Sequence, residues 1–433
     1  MTRTPLLRFL LVFLLALTSP ALAHPMPSSV ILLDVHEGAV GAEMQLPLSE
    51  LGLALHETLS GDSDTLLAAH ENEWRAYLLK HLRPTTPDGE AWTVAVDDLS
   101  IGNAEQTASG PYQELNAHLT LTPPAGASSR AFTLNYDAVM HQVVTHSALV
   151  SVRQDWAAGV TPEGTPAEVG VIRVNPVDGT VAPLVVNRDG GSLWTGFVGM
   201  LRLGVSHIAA GTDHLLFLLT LLLPAPLLAG LNHWGGFAGT RHSLLNILKI
   251  ITAFTAGHSL TLIVGTLARL DLPAQPIEAL IALSILISAV HALRPVFPGR
   301  EVLVAGFFGL IHGLAFSFTL AELNLNAGQM ALSLLGFNLG IEAMQLVVMA
   351  LTLPWLILLA RTPAYPAVRV GGASVAALAS LGWLGQRLGL DNPLSTLADG
   401  LGVYGSWGIA GLAVVAIMLT FSTARRLRTG TRH

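Results

Sequence analysis

Seven apolar stretches between residues 208 and 423, each close to the length of a bilayer-crossing helix, constrain this chain more than any other feature. They fall at 208–228, 244–268, 275–293, 302–321, 330–360, 367–387 and 403–423, bounded by Pro, Gly or Arg. A run of about 20 apolar residues spans the hydrocarbon layer as a helix, because a helix satisfies its own backbone polar groups where water is absent. The expected fold of this part is an α-helical polytopic membrane protein with about seven transmembrane helices. Composition agrees, since 51% hydrophobic and 12% charged residues are too apolar a mixture for an ordinary soluble chain.

The preceding sequence is of another kind. Residues 1–23 place Arg3 and Arg8 around an apolar stretch that ends in Ala21-Leu22-Ala23, the pattern of a secretory signal peptide. Cleavage there makes His24 the mature N-terminus. From 24 to 187 short alternating runs such as "SSVILLDVHEG", "VGAEMQLPL", "ELNAHLTLTPP" and "RAFTLNYDAVM" are separated by Gly, Pro, Asp and Asn. Period-two alternation with such breaks predicts a mainly-β, sandwich-like extracytoplasmic domain. One interruption, "SDTLLAAHENEWRAYLLKHL", has helical spacing and predicts a single helix. Residues 188–207, with "LWTGFVGMLRLGV", read as an amphipathic lead-in at the outer surface or the first part of a longer span, and 424–433 as a basic cytoplasmic tail.

Loop charge gives the orientation independently. With the β-rich domain outside, the inward loops hold Arg241 with Lys249, Arg294 with Arg300, and Arg361 with Arg369, while the outward loops hold only Arg269 and Arg387. Positive residues are retained on the cytoplasmic side. Signal and charge thus predict a multi-pass protein of the inner membrane with its N-terminal domain periplasmic and its C-terminus cytoplasmic.

Ionisable groups inside apolar spans are costly, so each calls for a role. The spans contain Asp213 and His214, with His207 seven residues before His214, then His258, Glu278, His291, His312 and Glu342. Thr255 and Ser259 share a helical face with His258, while Asn338 and Gln345 flank Glu342 at i, i+4, i+7 spacing. By helical rise, His258 and His312 lie about 15 Å from the outer end of their spans. His, Asp and Glu without sulfur suit a divalent first-row metal ion, and the chain has no cysteine to offer a thiolate. His291 sits beside Arg294 at the cytoplasmic end and stands outside this set. A weak internal echo, "GHSLTL" then "IEAL" and "IHGLAF" then "IEAM", suggests a parallel duplication.

The segments "HIAAGTDHLLFLLTLLLPA", "TAFTAGHSLTL", "EALIALSI", "FGLIHGLAFS" and "FNLGIEAMQL" resemble the HupE/UreJ family, membrane proteins linked to hydrogenase and urease systems and regarded as nickel permeases. The resemblance implies a carrier of nickel or cobalt, whose binding groups would be His207, Asp213, His214, His258, Glu278, His312 and Glu342. It extends to the long members that begin with an extracytoplasmic domain. The chain departs from shorter permeases by that domain and by an extra C-terminal span.

The expected substrate is a transported metal ion, nickel first, with cobalt, copper or zinc as alternatives; no tightly bound cofactor is expected. The other partners are the lipid bilayer and a periplasmic protein docking on the N-terminal domain. Nucleic acid is excluded by a net charge of -7 and the lack of a basic block before the tail. Two other readings stay open: an intramembrane zinc enzyme, which would lack the glutamate base of HExxH, and a non-transporting sensor or assembly factor. His24, with a free α-amino group after cleavage, forms a candidate chelator. His36, His56, His70, His118, His141 and His146 are scattered without tight ligand spacing. "HQVVTHSALVSVRQDW" reads either as a ligand pair or as an amphipathic strand.

Overall fold

In the computed structural model the described residues are 27–106, 110–230, 232–270, 272–323, 325–390, 392–401 and 405–430. The expected signal peptide, His24 and the last three residues of the tail lie outside them. The chain divides into two compact units: one ends at Arg153 and resumes over Pro166–Asp189, and the other comprises Gln154–Thr165 and the chain from Gly190 onward.

The first unit contains β1 (Ser29–His36), β2 (Ala39–Pro47), α1 (Leu48–Leu55), α2 (Ser63–His81), β3 (Leu82–Thr85), β4 (Thr93–Gln106), β5 (Gly110–Thr122), β6 (Ala131–Tyr136), β7 (Ser147–Asp155) up to Arg153, β8 (Ala167–Arg173) and β9 (Leu184–Asn187). Six strands form one sheet in the order β4-β5-β2-β1-β7-β8, and three form a second, β3-β6-β9. Ile31, Leu33 and Val35 alternate inward along β1, and Gly38 at φ 83 closes the two-residue turn into β2. Residues of both sheets and of α2, among them Leu33, Met44, Phe132, Leu134 and Trp74, share one core. The segment "SALVSVRQD" resolves as strand β7. Where the sequence predicts one helix there are two: α2 is the expected one, and the short α1 was hidden because eight residues carry too little periodicity to separate from a strand.

The second unit contains α3 (Leu193–Ala210), α4 (Thr212–Leu222), a hairpin of β10 (Leu227–Ala229) and β11 (Trp234–Phe237), then α5 (Thr240–Ala268), α6 (Ala274–Leu293), α7 (Glu301–Glu322), α8 (Ala327–Leu359), α9 (Tyr365–Arg387), α10 (Pro393–Leu401) and α11 (Gly405–Gly430). Among the described residues four helices, α5, α6, α8 and α9, are long and apolar enough to cross a membrane. The pair α3 and α4, bent by 70°, makes a fifth candidate, while Glu301–Ser317 and Trp407–Thr420 are shorter apolar segments. The chain is a multi-pass membrane protein by these helices. The stretch expected as one span at 208–228 is instead the second limb of a broken helix, and its end folds into β10. The supposed lead-in is the first limb. Apolar composition cannot register a bend, and Gly211, extended at φ -72 and ψ 101, is where it occurs. Pro354 lies within an unbroken α8.

Candidate functional site

His207 lies in the last turn of α3, Asp213 in the first turn of α4, and Gly211 between them. The Gly211 N–H donates to His207 O, closing α3. A Cβ at Gly211 would lie 2.8 Å from both His207 O and His214 Nδ1, so only glycine lets the chain pass. At the start of α4, Asp213 Oδ1 accepts the His214 backbone N–H at 2.8 Å and faces His214 Nδ1 at 2.9 Å. The position suits a carboxylate, because unpaired N–H groups and the helix dipole favour negative charge there. It also orients the imidazole, leaving Nε2 free for another partner.

His258 and His312 reach the same cluster through close helix crossing. A Cβ on Gly309 of α7 would lie 2.1 Å from Phe254 O, one on Gly313 would lie 2.2 Å from His258 O, and one on Gly257 of α5 would lie 2.1 Å from Gly306 O. Small residues let the two backbones touch, and the histidines beside them are carried inward together. The α3–α8 pair is built alike: Gly204 abuts Phe337 O and Gly340 abuts Leu201 O, with virtual Cβ separations of 2.1 and 2.2 Å.

The imidazoles form a chain. Ring centroids are 6.5 Å apart for His258 and His207, 4.6 Å for His207 and His214, and 5.3 Å for His214 and His312. Phe316, Phe337, Phe217 and Phe254 pack around them. His214, His258 and His312 are buried. Among the described residues, His214 Nε2, both nitrogens of His258 and His312 Nδ1 have no hydrogen-bond partner. Buried donors and acceptors left in that state cost several kcal/mol in apolar surroundings, so a ligand that satisfies them would be favoured.

His207, Asp213, His214, His312 and Glu278 line one cavity of about 440 Å³. His258 lies one layer behind it, next to His207. Glu278, near the start of α6, is half-exposed and ion-paired with Arg387 at the end of α9. Glu342 is half-buried on α8 and is not among the cavity-lining residues. Thr255 Oγ1 donates to Gln345 Oε1 at 3.0 Å and Ser259 Oγ to Asn338 Oδ1 at 2.7 Å, so the amide and hydroxyl groups read beside the site join α5 to α8. His291 is a structural end group: it stacks on Phe297 at 3.8 Å and its Nδ1 accepts the Val296 N–H.

Sequence reading missed several groups at the site. Ser284 Oγ on α6 lies 3.0 Å from His312 Nε2 without lining the cavity itself, and Trp383 and Asp399 are among the lining residues. A lone serine or tryptophan in an apolar run carries no signal of such a role; Asp399, a lone acid just before the last expected span, offered a weak one.

In the first unit, the two histidines of "HQVVTHSALVSVRQDW" have separate partners: His141 stacks on His81 at 4.2 Å, while His146 Nε2 lies 2.8 Å from Ser29 Oγ. One group of three or more ligand atoms, all within 4.8 Å of each other, occurs among the described residues: Glu57, His70 and Glu73. The buried imidazoles are thus spread more widely than one tight coordination sphere.

Residues 184–387 match the family described as HupE / UreJ protein. They form a HupE/UreJ domain. An additional N-terminal unit precedes it in this chain, and α10 and α11 follow the matched part of the HupE/UreJ domain. The family is consistent with a metal-transport or accessory role. No curated protein and no solved structure matches the chain significantly.

Proposed function

We propose that the HupE/UreJ domain is a permease for a divalent first-row transition metal ion, with nickel the foremost candidate. The observation that carries this reading is the chain of four imidazoles from α3, α4, α5 and α7, with four buried nitrogens unpartnered and Asp213 beside them, three of the four lining a cavity and His258 next to His207. Imidazole nitrogen binds nickel, cobalt, copper and zinc, and a carboxylate offsets part of the dication's charge. Ligands distributed along a path favour passage over retention, because an ion can exchange one nitrogen for the next. Ser284 holds His312, and Asp213 holds His214, in fixed orientations for that exchange.

The ion would enter from the end that carries Glu278 and Arg387. The opposite end carries Arg361, which donates to Thr240 Oγ1, and Arg369, which donates to Ala292 O and Leu293 O. The positive-inside rule supports reading that end as cytoplasmic and the cavity mouth as periplasmic. Neutral imidazoles bind the metal and protonated ones release it, which supplies a means of discharge.

Accumulation of Ni, Co, Cu and Zn in cells with and without the full chain tests this. Altered nickel content, with smaller changes for the other ions, is the expected result. Unchanged content of all four metals would remove the permease reading.

A further inference from the structure

The cavity has a third carboxylate at its wall, beside Asp213 and Glu278, that belongs to neither the family match nor the imidazole chain. Asp399 lies on α10, beyond residue 387 where the HupE/UreJ match ends. It lines the cavity together with Glu278, Thr212 and Arg387. Its position is built: Trp383 Nε1 donates to Asp399 Oδ1 at 2.8 Å, and Thr212 Oγ1 donates to Asp399 O at 3.3 Å. Asp399 itself is exposed, so the Trp383 bond leaves the rest of its carboxylate facing water. Deeper in the same cavity lie His214, 9% exposed with Nε2 unpartnered, and His312, 1% exposed with Nδ1 unpartnered. The cavity therefore joins two chemistries: solvated carboxylates at its mouth and dry imidazole nitrogen at its end.

We propose that Asp399 and Glu278 form an outer capture subsite for a hydrated divalent cation, and that Arg387 occupies Glu278 while the subsite is empty. This rests on the permease reading and adds to it the step before dehydration. The room is adequate, since six waters around an ion take on the order of 180 Å³ and the cavity holds about 440 Å³. A cleft lined by carboxylates focuses the field and raises the local cation concentration. The hydrated ion needs no direct ligand there, because water-mediated contacts hold it. Arg387 is the internal competitor: a dication that takes over Glu278 displaces a monovalent guanidinium, so an anionic mouth is opened by the ion it admits.

The test is nickel uptake by cells carrying the full chain, with membrane levels matched between variants. Asp399→Asn keeps an oxygen acceptor for Trp383, so the fold is retained while the charge is lost. It should raise the half-saturating nickel concentration by about two- to fivefold, the scale of one partly exposed charge interaction, and lower the maximal rate less than that. Arg387→Gln should move the half-saturating concentration the other way. An unchanged value in Asp399→Asn, with uptake still abolished by His214→Ala, would overturn the subsite and leave the permease reading standing. Uptake indifferent to His214→Ala would overturn that reading. In that case a nickel titration of the purified full chain decides the subsite, and an equal midpoint for wild type and Asp399→Asn refutes it.

Discussion

At the scale of single residues, the protein pairs buried titratable groups differently in its two units. In the first unit Glu50 and His146 are buried at 3.4 Å from one another, with Ser29 Oγ on the far nitrogen of the imidazole. Burial holds His146 down at about 4 and pushes the Glu50 carboxyl up, so both are favoured in their neutral forms. The signs are opposite in effect. The unfolded chain protonates His146 near 6.5 and the folded one near 4, so its contribution to stability is complete above pH 6.5 and is lost as pH falls towards 4. The raised Glu50 contributes below its unfolded value and loses that contribution as pH rises through the folded one. The His146 contribution lost between pH 6.5 and 4.5 has an upper bound of about 3 kcal/mol. Thermal unfolding of the first unit should therefore shift to lower temperature on acidification from pH 7 to 4.5, and shift less in His146→Leu. Equal shifts in both proteins would show that His146 does not set the acid limit.

At the scale of elements, the site depends on helices approaching to backbone contact. Gly313→Val sets a side chain against His258 O and Thr261 Oγ1, which a Cβ alone would approach to 2.2 and 2.3 Å. It should cost about 1–3 kcal/mol through overpacking and reduce nickel uptake although no proposed ligand is altered. Gly371→Ala on α9, where a Cβ meets nothing within 4 Å, is the matched control. A melting temperature in detergent that is the same for Gly313→Val and the control would refute the tight crossing.

The same scale shows what the sequence made legible. The expected spans at 244–268, 275–293, 330–360 and 367–387 fall on helices long and apolar enough to cross a membrane, because long apolar runs report length directly, while those at 302–321 and 403–423 fall on helices whose apolar part is shorter. The first expected span does not fall on one helix, because the 70° bend at Gly211 is set by one residue and by packing, not by hydropathy. His207, Asp213, His214, His258 and His312 stood out as polar groups in apolar surroundings, and they do cluster. Glu278 and Glu342 were equivalent in sequence, yet one lines the cavity and the other does not, since rotation about a helix axis follows from neighbours the pattern cannot see. Asp399 and Trp383 meet His207, Asp213 and His214 from far along the chain, a relation carried only by tertiary contact.

At the scale of the whole molecule, topology is open to a clean chemical experiment because the chain contains no cysteine. Val177, 90% exposed in the first unit, and Pro298, exposed in the loop between α6 and α7, are suitable single sites. In intact cells with a permeable outer envelope, a membrane-impermeant maleimide should label Val177→Cys and spare Pro298→Cys until the cells are lysed. The reverse pattern would invert the orientation and place the cavity mouth on the cytoplasmic side.

The central claim is that the buried imidazoles carry a metal ion. It is tested most directly by nickel accumulation in cells expressing His214→Ala or His258→Ala at wild-type membrane levels. Transport through the imidazole chain predicts loss of most chain-dependent accumulation in each variant, with the protein still folded and inserted. Accumulation equal to wild type in both variants would contradict it.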